Sequence, residues 1–370
     1  MPTLSDKFSD IRPYNDDEIQ PAIQRVINSD EFINAILSFR FAKISKFIGF
    51  LLKPLLRRYF LFKWGSISSI VEMQKVVGVY MVHMIDTTTT QFTYSGLENL
   101  EAHKNYLFVS NHRDIAMDPA FVNWALFSSN FNTVRIAIGD NLLSKPFIAD
   151  LMRMNKSFIV KRALTGPREM MKALLHLSDY IFSSLQSDSS IWIAQREGRA
   201  KDGFDKTEPA IIKMFYINGK KKKIPFNDYI KQLNIVPVAV SYEFDAGDKY
   251  KAKELYDKEK TGEYKKSQYE DIESIVRGIV GQKGHVHVTF GKALDGDFEN
   301  AEQVASAIDE QIYHNYFLHP SNYIAAKQGL EDISDADKDA FEKRLQSIAP
   351  ELQETVLKMY ANPVENSIKQ

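Results

Sequence analysis

The chain has 370 residues and a mass of 42.5 kDa, enough for one large core with helical additions, and its 44% hydrophobic and 26% charged residues exclude a disordered chain. There is no cysteine, which excludes a disulfide framework, a thiolate nucleophile and a sulfur-ligated metal. The net charge is −1, from 47 Lys and Arg against 48 Asp and Glu, an average that by itself argues against a polyanionic partner.

The average conceals a segment. From Phe32 to Val71 there is no acidic residue, while seven basic ones occur: Arg40, Lys43, Lys46, Lys53, Arg57, Arg58 and Lys63. Setting those seven aside leaves 40 basic against 48 acidic residues elsewhere, a balance of −8. The block is also aromatic, with Phe39, Phe41, Phe47, Phe50, Tyr59, Phe60, Phe62 and Trp64. Its longest wholly apolar run, Phe47 to Leu52, has six residues, against the roughly 20 of a spanning helix. No charged-apolar-small pattern opens the chain, so no signal peptide is expected. Two readings fit the block. One is an interfacial anchor facing an anionic membrane surface, peripheral or monotopic. The other is a pair of core helices whose Lys and Arg stems snorkel. The missing acidic side chains favour the anchor, because a soluble helix ordinarily carries both signs.

The first 90 residues read as mostly helical, with polar, proline-containing beginnings around Arg12-Pro13-Tyr14 and Asp16 to Pro21. From Gln91 short β-rich runs begin to alternate with helical stretches. The runs are Tyr106–Ser110, Thr133–Ile138, Ser157–Val160, Ser190–Ala194, Ile235–Ser241 and His285–Phe290. Helical stretches include Pro146–Met154 and Pro167–Leu185, the latter with proline at an early helical position. Gly219–Lys223 and Asp245–Glu270 read as exposed insertions, and helices return at Asn300–Phe317 and Ala336–Tyr360. No internal repeat or low-complexity tract is present. The expected fold class is α/β, a mixed, mostly parallel central sheet flanked by helices. Residues 1–90 form a helical N-terminal region holding the membrane-facing segment 32–71, residues 91–295 the α/β domain, and residues 296–370 a helical C-terminal extension.

The most informative stretch is Ser110-Asn111-His112-Arg113-Asp114-Ile115-Ala116-Met117-Asp118-Pro119, between an apolar strand and a helix at Phe121–Phe127. Ligands of α/β sheets bind at the carboxyl ends of strands, which is where His112 falls. A carboxylate close behind a histidine holds its tautomer while the other ring nitrogen takes a proton from an alcohol. Asp118-Pro119 is equally good helix-start chemistry, an N-cap followed by proline at the first helical position.

The order of blocks along the chain resembles the glycerolipid acyltransferase family of the bacterial 1-acylglycerol-3-phosphate acyltransferase type. That family carries Asn-His-x4-Asp, a Phe-Ile-x-Arg block, a Pro-Glu-Gly-Thr-Arg block and a Val-Pro strand. Here these read Asn111-His112…Asp118, Phe158-Ile159-Val160-Lys161-Arg162, Arg196-Glu197-Gly198-Arg199 and Ile235-Val236-Pro237-Val238. The resemblance covers roughly 91–295. Three blocks depart from the family pattern. Asp118 lies six positions beyond His112 rather than five, and Asp114 only two beyond, so the partner is Asp118 if the turn bulges by one residue, or else Asp114. The second block leaves Lys161 and Arg162 both eligible. In the third, arginine replaces proline and the threonine is deleted.

The resemblance implies a membrane-associated O-acyltransferase of phospholipid biosynthesis. It would move a fatty acyl group from acyl-CoA or acyl-carrier protein to a lysophospholipid hydroxyl, 1-acylglycerol-3-phosphate first among them, giving phosphatidic acid. Glycerol 3-phosphate, a non-phosphate lysolipid, or a non-catalytic lipid-binding role on the same fold are the alternatives. His112 would be the general base, oriented by Asp118 or Asp114, with backbone donors after the strand meeting the oxyanion. Asn111, Lys161, Arg162, Arg196, Glu197, Gly198, Arg199 and Lys201 would form the acceptor side. Arginine forks match phosphate oxygens there, and Gly198 permits close backbone approach. No cofactor or metal is implied, no nucleic-acid module is recognised, and the location expected is the cytoplasmic face of the inner membrane. His285 and His287 share one strand face without a third ligand, and His83, His103, His176, His314 and His319 read as isolated. There is no Gly-x-Ser-x-Gly elbow, Walker loop or dinucleotide fingerprint.

Overall fold

The structure is a computed structural model that describes residues 7–40, 45–143, 145–187, 189–267 and 270–368, with the side chains of 39–49 outside the description. In chain order the elements are α1 (Asp16–Asn28), α2 (Asp30–Arg40), α3 (Ser45–Trp64), α4 (Ile70–Thr88), β1 (Thr89–Ser95), β2 (Leu107–Ser110) and α5 (Met117–Ser128). Next come β3 (Arg135–Gly139), α6 (Pro146–Met154), β4 (Ser157–Val160), α7 (Pro167–Ser187), β5 (Ile191–Ala194), α8 (Pro209–Lys222) and α9 (Phe226–Gln232). The remainder is β6 (Ile235–Tyr242), α10 (Asp248–Thr261), α11 (Glu270–Val280), β7 (Gly284–Phe290), α12 (Ala301–Asn315), α13 (Pro320–Ala326), α14 (Asp335–Gln346) and α15 (Pro350–Ile368). The chain is α/β and divides into two units, Met1–Tyr80 with Arg135–Ala173, and Met81–Val134 with Leu174–Gln370.

The first unit starts from a well-capped helix. Asn15 precedes α1, and Glu18 reaches back to accept its backbone N–H at 2.8 Å, satisfying an end donor that the helix itself cannot. Ile19, Ala22, Ile23, Val26 and Ile27 then repeat at helical spacing and are all buried. They meet Phe32, Phe60 and Trp64, whose rings pack with centroids 5.1 Å (Phe32–Phe60) and 4.7 Å (Phe60–Trp64) apart. The buried Asp150 on α6 accepts from Tyr14 Oη at 2.5 Å and Arg25 Nη2 at 2.7 Å. Strands β3 and β4 pair in parallel, Ile136 opposite Ser157.

Helix α3, which carries most of the basic block, has two faces. Leu52, Leu56, Phe60 and Trp64 pack into the core, whereas Leu51, Leu55, Tyr59 and Phe62 stand in solvent, with Phe62 83% and Phe50 72% exposed. Arg58 and Lys63 are exposed between them. Phe41 and Lys43 lie outside the described residues, as do the side chains of Phe39, Arg40, Lys46 and Phe47. Among the described residues no helix is long and apolar enough to cross a membrane.

The second unit holds a five-stranded mixed sheet in the order β1-β7-β6-β2-β5. Only β6 and β7 are antiparallel; β1 with β7, β6 with β2 and β2 with β5 are parallel. Strands β2 and β6 are buried at every position, as expected of continuous apolar runs covered on both faces. β1 follows α4 without a loop and was not among the sequence-expected runs, because its Thr and Gln residues give it no apolar pattern. Asp245–Glu270, expected as an exposed insertion, is mainly α10, with Asp248, Lys251, Ala252 and Glu254 buried, and the GKKKK run completes α8. The expected helix at 336–360 is two, broken at Ser347–Ala349 ahead of Pro350. Residues beyond 296 share the unit with the sheet. Phe341, Leu352, Val356 and Tyr360 form a buried cluster with Ala252 of α10, and Arg344 Nε lies 2.6 Å from Asp248.

Candidate active site

β2 ends at Ser110, and the next eight residues build a closed turn. The backbone N–H of Asn111 still pairs with Val238 of β6, at 3.3 Å. The Asn111 side chain, fully buried, then mimics one more step of the ladder: its Oδ1 accepts the Val240 N–H at 2.8 Å and its Nδ2 donates to Val240 O at 3.0 Å. His112 emerges directly after this clamp.

His112 Nδ1 lies 2.8 Å from Asp118 Oδ2. The extra residue between them is absorbed by the turn, because the same oxygen accepts the backbone N–H of Arg113 at 2.6 Å and of Asp114 at 2.9 Å. The other oxygen accepts Tyr242 Oη at 2.6 Å. Asp118 is 0% exposed and wholly enclosed by donors, whereas the His112 side chain keeps 14% exposure. With Nδ1 donating to a carboxylate, Nε2 carries the lone pair, which is the state a general base requires. The Trp192 ring of β5 stands edge-on 5.8 Å from the imidazole.

Asp114 has a different place. Its carboxylate accepts the Ala116 N–H at 3.0 Å and the Met117 N–H at 2.9 Å, so it caps α5. Burial, and then the negative charge of Asp118, raise its pKa above the usual carboxylate range. Gly278 of α11 lies against it, and a Cβ at 278 would collide with its oxygens. The helix-start role expected of Asp118-Pro119 therefore belongs to Asp114, since α5 begins at Met117. Five of the backbone amides after the strand, those of Asn111, Arg113, Asp114, Ala116 and Met117, are committed within the fold.

A buried ion network supports the turn from behind. Arg113 donates Nε and Nη2 to Asp205 at 2.9 and 2.5 Å. Burial works against its charge, but Asp205 together with Tyr316 and Asp245 raises its pKa. Lys251 Nζ donates to Arg113 O at 2.6 Å and also pairs with Asp245, whose carboxyl it holds below the usual range against the effect of burial. Tyr242, Asp205 and Lys251 were not singled out from sequence. Each comes from a distant segment, and the expected strand at 235–241 stopped one residue short of Tyr242.

The third sequence block meets the same turn. Gln195 N–H donates to Ser110 O and Ala200 N–H to His112 O, both at 2.8 Å, so residues 195–200 loop over the His112 backbone. Gly198 sits at the loop's crest at φ +74°, a left-handed conformation with open space where a side chain would be. Arg196 lies 3.5 Å from Glu208, Arg199 donates to Ser274 Oγ at 2.6 Å, and Lys201 pairs with the buried Glu254. Glu197 is exposed. Asn111, His112, Asp118 and 196–201 are thus gathered at one end of β2 and β5. Lys161 and Arg162 belong to the other unit, where Lys161 is 2.5 Å from Asp10 and the Arg162 N–H donates to Asp140 at 3.1 Å.

His319 is not isolated. Its ring meets His285 edge-on at 5.0 Å, and the Thr93 hydroxyl lies 2.6 Å from both His285 and His287. Burial lowers the pKa of His319 to about 3 and of His287 to about 4. Among the described residues no group of three metal-ligating side chains is placed to hold a metal ion.

Residues 91–241 match the family model described as Acyltransferase. No curated protein matches the chain. Among solved structures, the chain is similar to the 1-acyl-sn-glycerophosphate (LPA) acyltransferase from Thermotoga maritima, with 13% identity, 80% of this chain and 91% of that chain covered, and a TM-score of 0.38. The family match begins within β1 and ends within β6, so the stretch of this chain that is similar to the Acyltransferase family contains the whole His112–Asp118 turn.

Proposed function

We propose that the protein transfers a fatty acyl group from acyl-CoA or acyl-carrier protein to a lysophospholipid hydroxyl, with 1-acylglycerol-3-phosphate as acceptor and phosphatidic acid as product. The observation that carries the proposal is the partly accessible imidazole fixed 2.8 Å from a fully buried carboxylate. His112 Nε2 takes the acceptor's hydroxyl proton as the oxygen attacks the thioester carbonyl carbon. The tetrahedral adduct then collapses, the carbon–sulfur bond breaks, and the imidazolium returns its proton to the leaving thiolate. No covalent enzyme intermediate is required. Asp118 holds the tautomer and stabilises the transient imidazolium.

On the acceptor side, Arg196, Arg199 and Lys201 flank the loop crest at Gly198. Ser274 is a neutral partner, so Arg199 keeps its full charge for a phosphate. Asn111 acts by fixing the strand ends, its amide having its partners in the fold. Lys161 and Arg162 remain acceptor candidates from the resemblance, and Glu197 a ligand for a glycerol hydroxyl. A panel of lysophosphatidic acid, glycerol 3-phosphate and a neutral lysolipid, each offered with acyl-CoA and with acyl-carrier protein, tests the assignment. Phosphatidic acid from the first acceptor at the highest kcat/KM is expected. A preference for either other acceptor overturns the assignment.

The enzyme would reach such substrates by lying on the cytoplasmic face of the inner membrane through the exposed face of α3. Leu51, Leu55, Tyr59 and Phe62 form its apolar stripe, flanked by Arg58 and Lys63, with no acidic residue from 32 to 71. At about 1 kcal/mol per basic residue near an anionic leaflet, Arg58→Glu with Lys63→Glu should weaken binding to anionic vesicles at least about thirtyfold. Co-sedimentation that is unchanged in this double variant, or insensitive to salt, refutes the membrane-facing role.

A further inference from the structure

We infer that Tyr242 is a positioning residue for acyl transfer: its hydroxyl, donated to the Asp118 oxygen that His112 does not use, sets how much negative charge Asp118 presents to the imidazole. The inference rests on His112 being the base proposed above, and it assigns a role to a side chain that touches neither His112 nor substrate.

The sequence delivers Tyr242 to this place by register. β6 runs parallel to β2 with Val238 opposite Ser110, so β6 extends four residues beyond the end of β2, alongside the His112 turn. Side chains two apart on a strand share a face, and Val240 is the residue clamped by Asn111. The same amide that precedes the base therefore fixes the strand end that carries Tyr242. On the other side, the Tyr242 ring meets Phe121 of α5 edge-on at 5.9 Å, and α5 carries Asp118 in its first turn. The phenol is held from both the strand and the helix. Its hydroxyl lies 2.6 Å from Asp118 Oδ1.

Electrostatics keep that hydroxyl a donor. Burial first, and then Asp118 and Asp114, push the phenol well above its ordinary pKa. The charged and titratable groups around the pair come from several elements: Asp114 on the same turn, itself facing Lys283 before β7, Arg113 with Asp205, Asp245 after β6, Lys251 on α10, and Tyr316 after α12. Arg113 and Lys251 already have carboxylate partners in Asp205 and Asp245. Asp118 Oδ1 thus depends on Tyr242 for its hydrogen bond, while Oδ2 draws on two backbone amides besides the imidazole.

The consequence has a definite sign. A hydrogen bond to a carboxylate spreads its charge and weakens its hold on a neighbouring cation. Without the Tyr242 hydroxyl, Asp118 would stabilise imidazolium more strongly, and His112 would bind its proton to higher pH. A base that stays protonated at neutral pH cannot accept the acceptor's proton. Tyr242 therefore tunes His112 toward its free-base form, and it also stops the carboxylate rotating away from the ring.

The test follows His112 by NMR, its signal assigned by its loss in His112→Ala, together with the pH profile of kcat/KM. In Tyr242→Phe the His112 midpoint should rise by about half a pH unit or more, equivalent to roughly a threefold change in proton affinity. The acid limb of the profile should move with it, and acceptor KM should stay within about twofold. Two further variants keep the inference open to refutation should Tyr242→Phe lose its fold. Placing 3-fluorotyrosine at 242, a stronger donor of nearly the same shape, should move the midpoint the opposite way. Phe121→Leu, which disturbs the ring packing and spares the hydroxyl, should leave it in place. An unmoved midpoint with fluorotyrosine, or an equal shift in Phe121→Leu, overturns the inference. The NMR titration needs no substrate, so a protein that shows these shifts and transfers no acyl group refutes the proposed reaction and not the coupling.

Discussion

Replacing His112 by alanine is expected to lower kcat for acyl transfer by about two to four orders of magnitude, the range of a positioned general base. The thermal transition should stay close to that of the parent, because the loss of the imidazole leaves Asp118 satisfied. Its carboxylate keeps the amides of Arg113 and Asp114 and the hydroxyl of Tyr242. No buried group is orphaned, and orphaned groups are what make polar deletions costly. Steady-state kinetics beside a melting curve read both halves of the expectation. Activity within about tenfold of the parent would remove His112 from the mechanism, since the residual rate would then lie outside what loss of a base allows.

A second pair of variants separates the two carboxylates of the turn. Asp118→Asn should cost about two to three orders of magnitude in kcat, because a neutral amide cannot stabilise the imidazolium that forms as the proton moves. It should also cost about 1–3 kcal/mol of stability, since an amide nitrogen must now face a donor somewhere around a fully buried group. Asp114→Asn is expected to stay within about threefold of parental activity. Its remaining oxygen still accepts from Ala116 and Met117, and the substitution removes a carboxylate already resisting ionisation beside Asp118. Equal losses in the two variants would mean that Asp114 shares in the chemistry and that the geometry at Asp118 has been misjudged.

These carboxylates also mark the boundary of what the sequence conveyed. His112 at the end of an apolar strand and a carboxylate a few residues on were legible, because both belong to one short stretch whose chemistry is local. So were Ser157–Val160 and Pro146–Met154, whose bounds are marked by an apolar run and a helix-starting proline. Which aspartate faces the ring was not legible, because the answer depends on how a turn folds back, and that is decided by backbone amides every residue possesses. Tyr242, Asp205 and Lys251 lie some 90 to 140 residues from their partners in the turn, as the separations of 124, 92 and 138 show. Nothing in a single chain's spacing announces such partners. In α3 the core reading holds for one face only. Phe60 and Trp64 are core residues and Phe62 is not, since a helix whose apolar positions exceed one stripe must leave some uncovered.

The turn after β2 has a further meaning in terms of reorganisation. Its amides, its two aspartates and the Asn111 clamp are bonded to one another and to β6, so the orientation of the imidazole is decided when the protein folds, before any acceptor arrives. A base held by loose contacts would have to be ordered during each turnover, and that entropy would add to the barrier. A dipolar environment already set in place has little left to rearrange as charge develops. The splint around His112 moves a recurring cost of catalysis into a single cost of folding.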